Sequence, residues 1–310
     1  MVKALDEASG EGWHIWNGDC TEVMGFLPDE CIDMSVFSPP YLSLYQYSNS
    51  TRDMGNSATD DDFYIHFGFA IDHLFRVLKP GCIAAVDCMN VPAMKSKDGY
   101  IGLKDFRGEL IRQFLARGFI FHSEHCAWKD PLIEATRTKA IGLMHKQLCK
   151  DSSMSRAGIP QYILAFRKPG DRAVPIAHPD GVDYFIGEDE PKIGNLSHER
   201  WRRYASPVWM DIDFTRTLNY RGGRETADEK HIAPMSLDLI ERAIWLWSNP
   251  GDSVLTPFLG IGSEVYCAAK MGRKGLGIEL KPSYFAQAVR NLAEIERETG
   301  RLFAETGDAA

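Results

Sequence analysis

The chain has 310 residues, 44% hydrophobic and 25% charged, an ordinary balance for a folded protein that excludes disorder along its whole length. At roughly 150 residues per domain it holds two domains, or one large domain with an insertion. Its 35 Lys and Arg against 43 Asp and Glu leave a net charge of −8, which argues against a generally basic nucleic-acid binder but leaves room for a local basic face. No run approaches the roughly 20 apolar residues of a membrane span. The opening MVKALDEASGEGW has no apolar core of signal-peptide type. The cysteines, Cys20, Cys31, Cys82, Cys88, Cys126, Cys149 and Cys267, include no C-x-x-C pair. They read as buried free thiols in a reducing cytoplasm, with no metal and no membrane in the expectation.

In chain order, WHIW (13–16) is a short strand, and IDMSVF (32–37) is a buried strand that stops at Pro39-Pro40. Phe63, Phe67, Ala70, Ile71, Leu74 and Leu78 recur at helical spacing and predict a helix over 63–78, ended by Lys79-Pro80-Gly81. A strand at 82–86, a helix at 106–117, and strands at 119–128 and 162–166 follow. From 173 to 230 the chain is rich in Pro, Gly, Asp and Arg with weak periodicity, which predicts a loop-rich module. Regular structure then resumes: a helix at 237–247, a strand-to-turn segment at 252–258, a helix at 264–271, a strand at 275–280 and a helix at 282–297. This alternation predicts an α/β fold, a doubly wound and mostly parallel sheet interrupted by the module.

Two motifs carry chemistry. In Pro257-Phe258-Leu259-Gly260-Ile261-Gly262-Ser263, between a strand and a helix, Gly260 and Gly262 permit a sharp turn and close approach to a ligand, and the helix start offers N–H groups. Gly277-Ile278-Glu279 then ends a strand with an acid suited to ribose hydroxyls. A plain two-glycine turn and a solvated acid are the alternative, but the combination predicts an adenosine-containing ligand. The second motif, Ser38-Pro39-Pro40-Tyr41, follows the strand 32–37. Its prolines fix the backbone and remove donors, leaving the Pro39 carbonyl and Ser38 as acceptors and Tyr41 as a stacking face.

S-P-P-Y first and P-F-L-G-I-G last resemble the amino-group DNA methyltransferases that use S-adenosylmethionine, in the order of the beta subgroup. Asn17-Gly18-Asp19 fits the same pattern. Ser43 to Asn56 and Met154 to Pro160 resemble a solitary phage- and prophage-associated branch. The resemblance implies a Rossmann-like methyltransferase fold, with a catalytic half at 1–172, a target recognition module at 173–230 and a cofactor-binding half at 231–310. It implies methyl transfer to the exocyclic amino group of a flipped adenine (N6) or cytosine (N4) in double-stranded DNA. It also implies restriction-modification as the setting, a bacterial or phage-encoded cytoplasmic protein, and a homodimer. Ser38, Pro39, Pro40 and Tyr41 would be catalytic. Asp19, Phe37, His231, Pro257, Phe258, Gly260, Gly262 and Glu279 would bind the cofactor, and Lys230 to Pro234 would close over it.

The chain departs from the family pattern twice. Thr256 stands where an acid usually precedes P-F-x-G-x-G, so that another residue is needed for the cofactor's ammonium group. Ser38 stands where Asp is common, which leaves the target base open between adenine and cytosine.

Within 129–172, nine Lys and Arg face four Asp and Glu. A basic DNA-contacting segment is expected over about 129–160, with Arg137, Lys139, Lys146, Lys150 and Arg156 on phosphates. A solvated helix face is the plainer alternative. In the module, Arg202, Arg203, Arg221 and Arg224, beside Trp201, Tyr204 and Tyr220, are expected to read bases. Trp201 is equally readable as the module's core. Competing functions are methylation of RNA or of a free base, and a DNA-binding relative without catalysis.

Overall fold

The structure, a computed structural model, describes residues 4–42, 52–93, 95–138, 141–178, 201–223 and 234–307, without the side chains at 97, 137, 138, 141, 221 and 296–307. Eleven strands lie among these residues: β1 (Asp6–Gly10), β2 (Trp13–Asn17), β3 (Ile32–Phe37), β4 (Leu78–Met89), β5 (Val91–Ala93), β6 (Gly102–Lys104), β7 (Ile120–Ala127), β8 (Gln161–Arg167), β9 (Val208–Trp209), β10 (Ser253–Thr256) and β11 (Lys274–Glu279). Nine form one sheet in the order β1-β2-β11-β10-β3-β4-β8-β7-β9. From β2 to β4 every pairing is parallel, whereas β1 on β2 and β8 between β4 and β7 run antiparallel. The expected doubly wound, mostly parallel sheet is thus observed.

Side chains alternate between the two faces of the sheet, as the pleat requires. Phe37 of β3, with Ala84, Val86 and Cys88 of β4, packs under the helices Asp60–Val77 and Phe106–Ala116. Met34 and Val36, with Ile83 and Ala85, pack under the helix Leu237–Trp247. The helix Pro282–Gly307 covers the β2 end.

The first long helix begins at Asp60, ahead of the apolar stripe, because Thr59 and Asp62 form a reciprocal capping box. Lys79-Pro80-Gly81 does not end it; the helix stops at Val77, and the tripeptide is an irregularity inside β4, where the register with β3 shifts. Gly81 is required there. Its φ is +72°, and a Cβ would lie 2.3 Å from the Arg172 nitrogen. The polar strand β1 carries no apolar alternation and forms an exposed edge hairpin with β2.

The described part of the module, 201–223, is tied to the sheet. Val208-Trp209 adds a parallel edge strand to β7, and Trp209 is fully buried with its ring stacked on His125 at 4.3 Å. Arg242 anchors it further, pairing with Asp211 at 2.9 Å and lying over the rings of Tyr204 and Trp209. Trp201 is 56% exposed, so the module's core tryptophan is Trp209. At its other end the Asn219 carbonyl accepts from Gln287 at 3.0 Å, and the Gly222 carbonyl from Arg290 at 3.1 Å. All seven cysteines are free thiols, but Cys149 is exposed and Cys31 and Cys126 are half-buried, against the expectation of uniform burial. No helix among the described residues is long and apolar enough to cross a membrane.

Candidate active site

Strands β3 and β10 are adjacent at the centre of the sheet, with Val254 opposite Met34 and Leu255 opposite Ser35. The chain leaves β3 for β4 on one side and β10 for β11 on the other. Their carboxyl ends therefore flank the switch point where an open α/β sheet forms its crevice. S-P-P-Y leaves the first strand and P-F-L-G-I-G the second, and both line one cavity of about 300 Å3.

Ser38, Pro39, Pro40 and Tyr41 all lie on its wall. The Ser38 and Tyr41 hydroxyls are 3.4 Å apart. The Tyr41 ring packs at 5.5 Å on the buried ring of Phe106. Leu42, buried directly after the motif, has a φ of +52°, a left-handed conformation uncommon outside glycine.

Of the residues expected to hold the cofactor, Asp19, Pro257, Phe258, Gly260 and Glu279 line the cavity. Asp19 caps the helix Cys20–Phe26, accepting the Thr21 and Glu22 N–H groups on one oxygen. Glu279 is fixed through both oxygens: the Gly260 N–H donates to one at 2.7 Å and the Lys281 N–H to the other at 2.8 Å. Burial nevertheless pushes its carboxyl up to about 7, with Asp53 adding to the shift. A carboxylate held by two backbone donors keeps spare lone pairs for two neighbouring hydroxyls.

Two of the expected ligand residues take other roles. Phe37 is 1% exposed and sits in the core, its ring 5.7 Å from that of Phe258, so it supports the wall without forming it. Gly262 faces away. With φ at +97° it caps the helix Ser263–Lys270, and a Cβ would press on Ala288 at 3.3 Å. His231 lies outside the described residues, although Pro234 of the same segment reaches the cavity.

Asp87, Gln161, Lys129, Phe214, Ser263 and Glu264, none of them among the expected site residues, also lie on the wall. Asp87 ends the apolar run of β4, and Gln161 opens β8; the Gln161 amide donates to both Asp87 oxygens, at 2.7 and 2.8 Å. Burial raises the Asp87 carboxyl to about 6, against Gln161 and Lys129. Phe214 brings the module into the site, with the Lys129 ammonium 4.8 Å from its ring centre. Glu264 is 5% exposed, and burial beside Asp87 and Glu279 raises it to about 8. The signal for Asp87 and Glu264 was an acid inside an otherwise apolar element. Thr256 is fully buried at the end of β10 and is absent from the wall.

A family model described as DNA methylase, for the N6- and N4-acting enzymes, matches residues 32–290. The chain belongs to the N6/N4 DNA methylase family. That family takes its methyl group from S-adenosylmethionine. The chain is 23% identical over 297 residues to the Type II methyltransferase M.BamHI of Bacillus amyloliquefaciens, covering 94% of this chain and 60% of that one. It is 23% identical over 275 residues to the orphan methyltransferase M.BamHII of the same organism, covering 86% of this chain and 87% of the relative. It thus spans most of one relative and three fifths of the other. In fold it matches TTHA0409 of Thermus thermophilus, solved with S-adenosyl-L-methionine, with a TM-score of 0.62 and 23% identity over 90% of this chain and 92% of that one.

The expected phosphate contacts are only partly described. Lys146 and Lys150 are exposed on the helix His145–Lys150, and Arg156 is exposed beyond it. Lys139 and Arg224 lie outside the described residues, as do the side chains of Arg137 and Arg221. Lys129 and Glu134, at the start of the basic segment, line the cavity, so that segment begins at the site's rim. Arg202 and Arg203 are exposed on the short helical stretch before β9. Of the other basic residues counted in the segment, Lys168 pairs with Glu30 at 3.2 Å, and Arg172 pairs with Asp252.

Proposed function

We propose that the chain is a site-specific DNA methyltransferase that moves a methyl group from S-adenosylmethionine to the exocyclic amino nitrogen of a flipped adenine or cytosine in duplex DNA. The observation that carries this reading is the shared cavity: the S-P-P-Y segment and the Gly260–Glu279 hydrogen bond line one space at the ends of adjacent strands.

The donor set fits the cofactor. Glu279 offers acceptors to a ribose, and Phe258 and Ile278 give apolar surface. Ser263 Oγ is buried on the same wall without a partner. S-adenosylmethionine, when bound, supplies a methyl group on an electrophilic sulfonium. An exocyclic amino group is a poor nucleophile because its lone pair is delocalised into the ring. Ser38 Oγ and the Pro39 carbonyl each accept one amino hydrogen, which turns the nitrogen toward tetrahedral and aims its lone pair. This is positioning and electrostatic stabilisation, with no covalent intermediate. Flipping the base costs about a few kcal/mol, and stacking on Tyr41 returns about 1–3 kcal/mol of it.

In this reading the module 173–230 selects the target sequence, with Phe214 linking it to the cavity and Arg202 and Arg203 available to the duplex. Lys146, Lys150 and Arg156 supply phosphate contacts. The chain works in the bacterial cytoplasm and as a homodimer, which sedimentation with and without DNA tests. The function itself is tested by sequencing modified bases in DNA from cells that produce the protein. N6-methyladenine or N4-methylcytosine at one recurring sequence, absent with Ser38→Ala, supports the reading and names the base. Unmodified DNA overturns it.

A further inference from the structure

Four buried carboxyl groups line the cavity, and their partners differ. Asp53 accepts the Gly55 N–H at 2.9 Å. Glu279 holds a backbone N–H on each oxygen. Asp87 holds the Gln161 amide on both. Glu264, in the first turn of the helix Ser263–Lys270, accepts only its own backbone N–H, and the charges nearest to it are the carboxylates of Asp87 and Glu279. A buried carboxyl among other carboxyls and without a cation is costly. Such a group is understandable where a cationic ligand completes it. Beside it, the Ser263 hydroxyl is buried on the same wall and has no hydrogen-bond partner. A carboxylate next to a hydroxyl suits a primary ammonium, which brings three donors, and a sulfonium brings none.

The position before Pro257 cannot do this work. Thr256 is uncharged, fully buried, and off the cavity wall. Resting on the reading that the cavity takes S-adenosylmethionine, we propose that Glu264 receives the α-ammonium group of the cofactor's amino-acid moiety, in place of the acid missing at position 256. The acidic anchor has moved from the end of β10, before the glycine turn, to the first turn of the helix after it.

The test is equilibrium binding of three neutral-sulfur probes to the whole protein. S-adenosylhomocysteine carries the ammonium and the carboxylate. Its deaminated analogue keeps only the carboxylate, and 5′-methylthioadenosine has neither. Glu264→Gln, which keeps the shape, is expected to weaken S-adenosylhomocysteine tenfold or more and to leave the other two within twofold. Glu264→Thr serves as a second neutral variant with the same expectation, and Glu264→Asp is expected to retain part of the difference. Equal weakening of all three probes means a structural role and overturns the proposal, as does unchanged affinity for S-adenosylhomocysteine. If the wild type binds none of the probes at millimolar concentration, the cofactor reading itself fails, a result distinct from a selective or unselective effect of the variant.

Discussion

The Ser35 hydroxyl donates to the Leu255 carbonyl at 2.8 Å, with both residues fully buried. This bond joins the strand that ends in S-P-P-Y to the strand that ends in P-F-L-G-I-G, two residues before the first leaves the sheet. It fixes the lateral spacing of the two motif segments from beneath. Ser35→Ala is expected to cost about 1 kcal/mol, the usual net worth of such a bond. Urea denaturation reads that loss; a midpoint equal to the wild type's would show that the tie contributes nothing.

Ser38→Ala and Tyr41→Ala separate binding from chemistry. Both side chains are on the cavity wall, and the Gly260 donor to the Glu279 carboxylate is a backbone N–H that neither substitution removes. Methyl transfer is expected to fall at least a hundredfold in Ser38→Ala, with cofactor affinity held within about twofold, in line with the loss of one group that stabilises a transition state. Tyr41→Ala is expected to act mainly through the flipped base, losing about 1–3 kcal/mol of stacking. Full activity in either variant would move the active site elsewhere.

The parts of the site that the sequence disclosed are those with a local pattern. Two prolines after a buried strand, two glycines before a helix and an acid at a strand end each leave a mark in a short window. Ser38 to Tyr41, Gly260 and Glu279 accordingly line the cavity. Asp87, Gln161 and Phe214 come together only through the register of β4 with β8 and through the docking of the module, which no window contains. The same limit explains the exchange of Trp201 for Trp209: the pairing of β9 with β7, which joins segments about 80 residues apart, decides which one is buried. Phe37 and Gly262 were misread for a related reason. Strand alternation turns Phe37 into the core under the helix Asp60–Val77, and Gly262 is a glycine because its φ is +97° with Ala288 close behind it.

Glu264 also predicts a pH dependence. In the unfolded chain its carboxyl titrates near 4.5, and in the folded chain near 8, because burial beside Asp87 and Glu279 disfavours the charge. The folded chain therefore holds the proton more tightly. The stabilisation is full below about pH 4.5 and is lost as the pH rises toward about 8. Asp87 and Glu279 face the same cavity and titrate in the same direction, and Arg52, Lys129 and Lys281 are the cations on its wall. Glutamine has no such loss. Without cofactor, Glu264→Gln is expected to melt at a higher temperature than the wild type at about pH 8.5, with the gap closing toward about pH 5. A gap that is the same at both pH values would contradict the buried, unpaired state of this carboxyl.

Lys146 and Lys150 test the DNA face. Removing one lysine that neutralises a phosphate should lower the slope of log affinity against log salt by about 0.9. The double Ala variant is expected to bind duplex DNA more weakly, with a slope smaller by nearly 2 and an unchanged preference among sequences. An unchanged slope would mean that this exposed helix carries solvated charge only.

The most direct measurement is transfer of a labelled methyl group from S-adenosylmethionine to duplex DNA by the purified chain, followed by digestion and mass spectrometry of the nucleosides. Label is expected in N6-methyladenine or N4-methylcytosine, abolished by Ser38→Ala. Label absent from duplex DNA, or present only in RNA or free base, would contradict the proposed function.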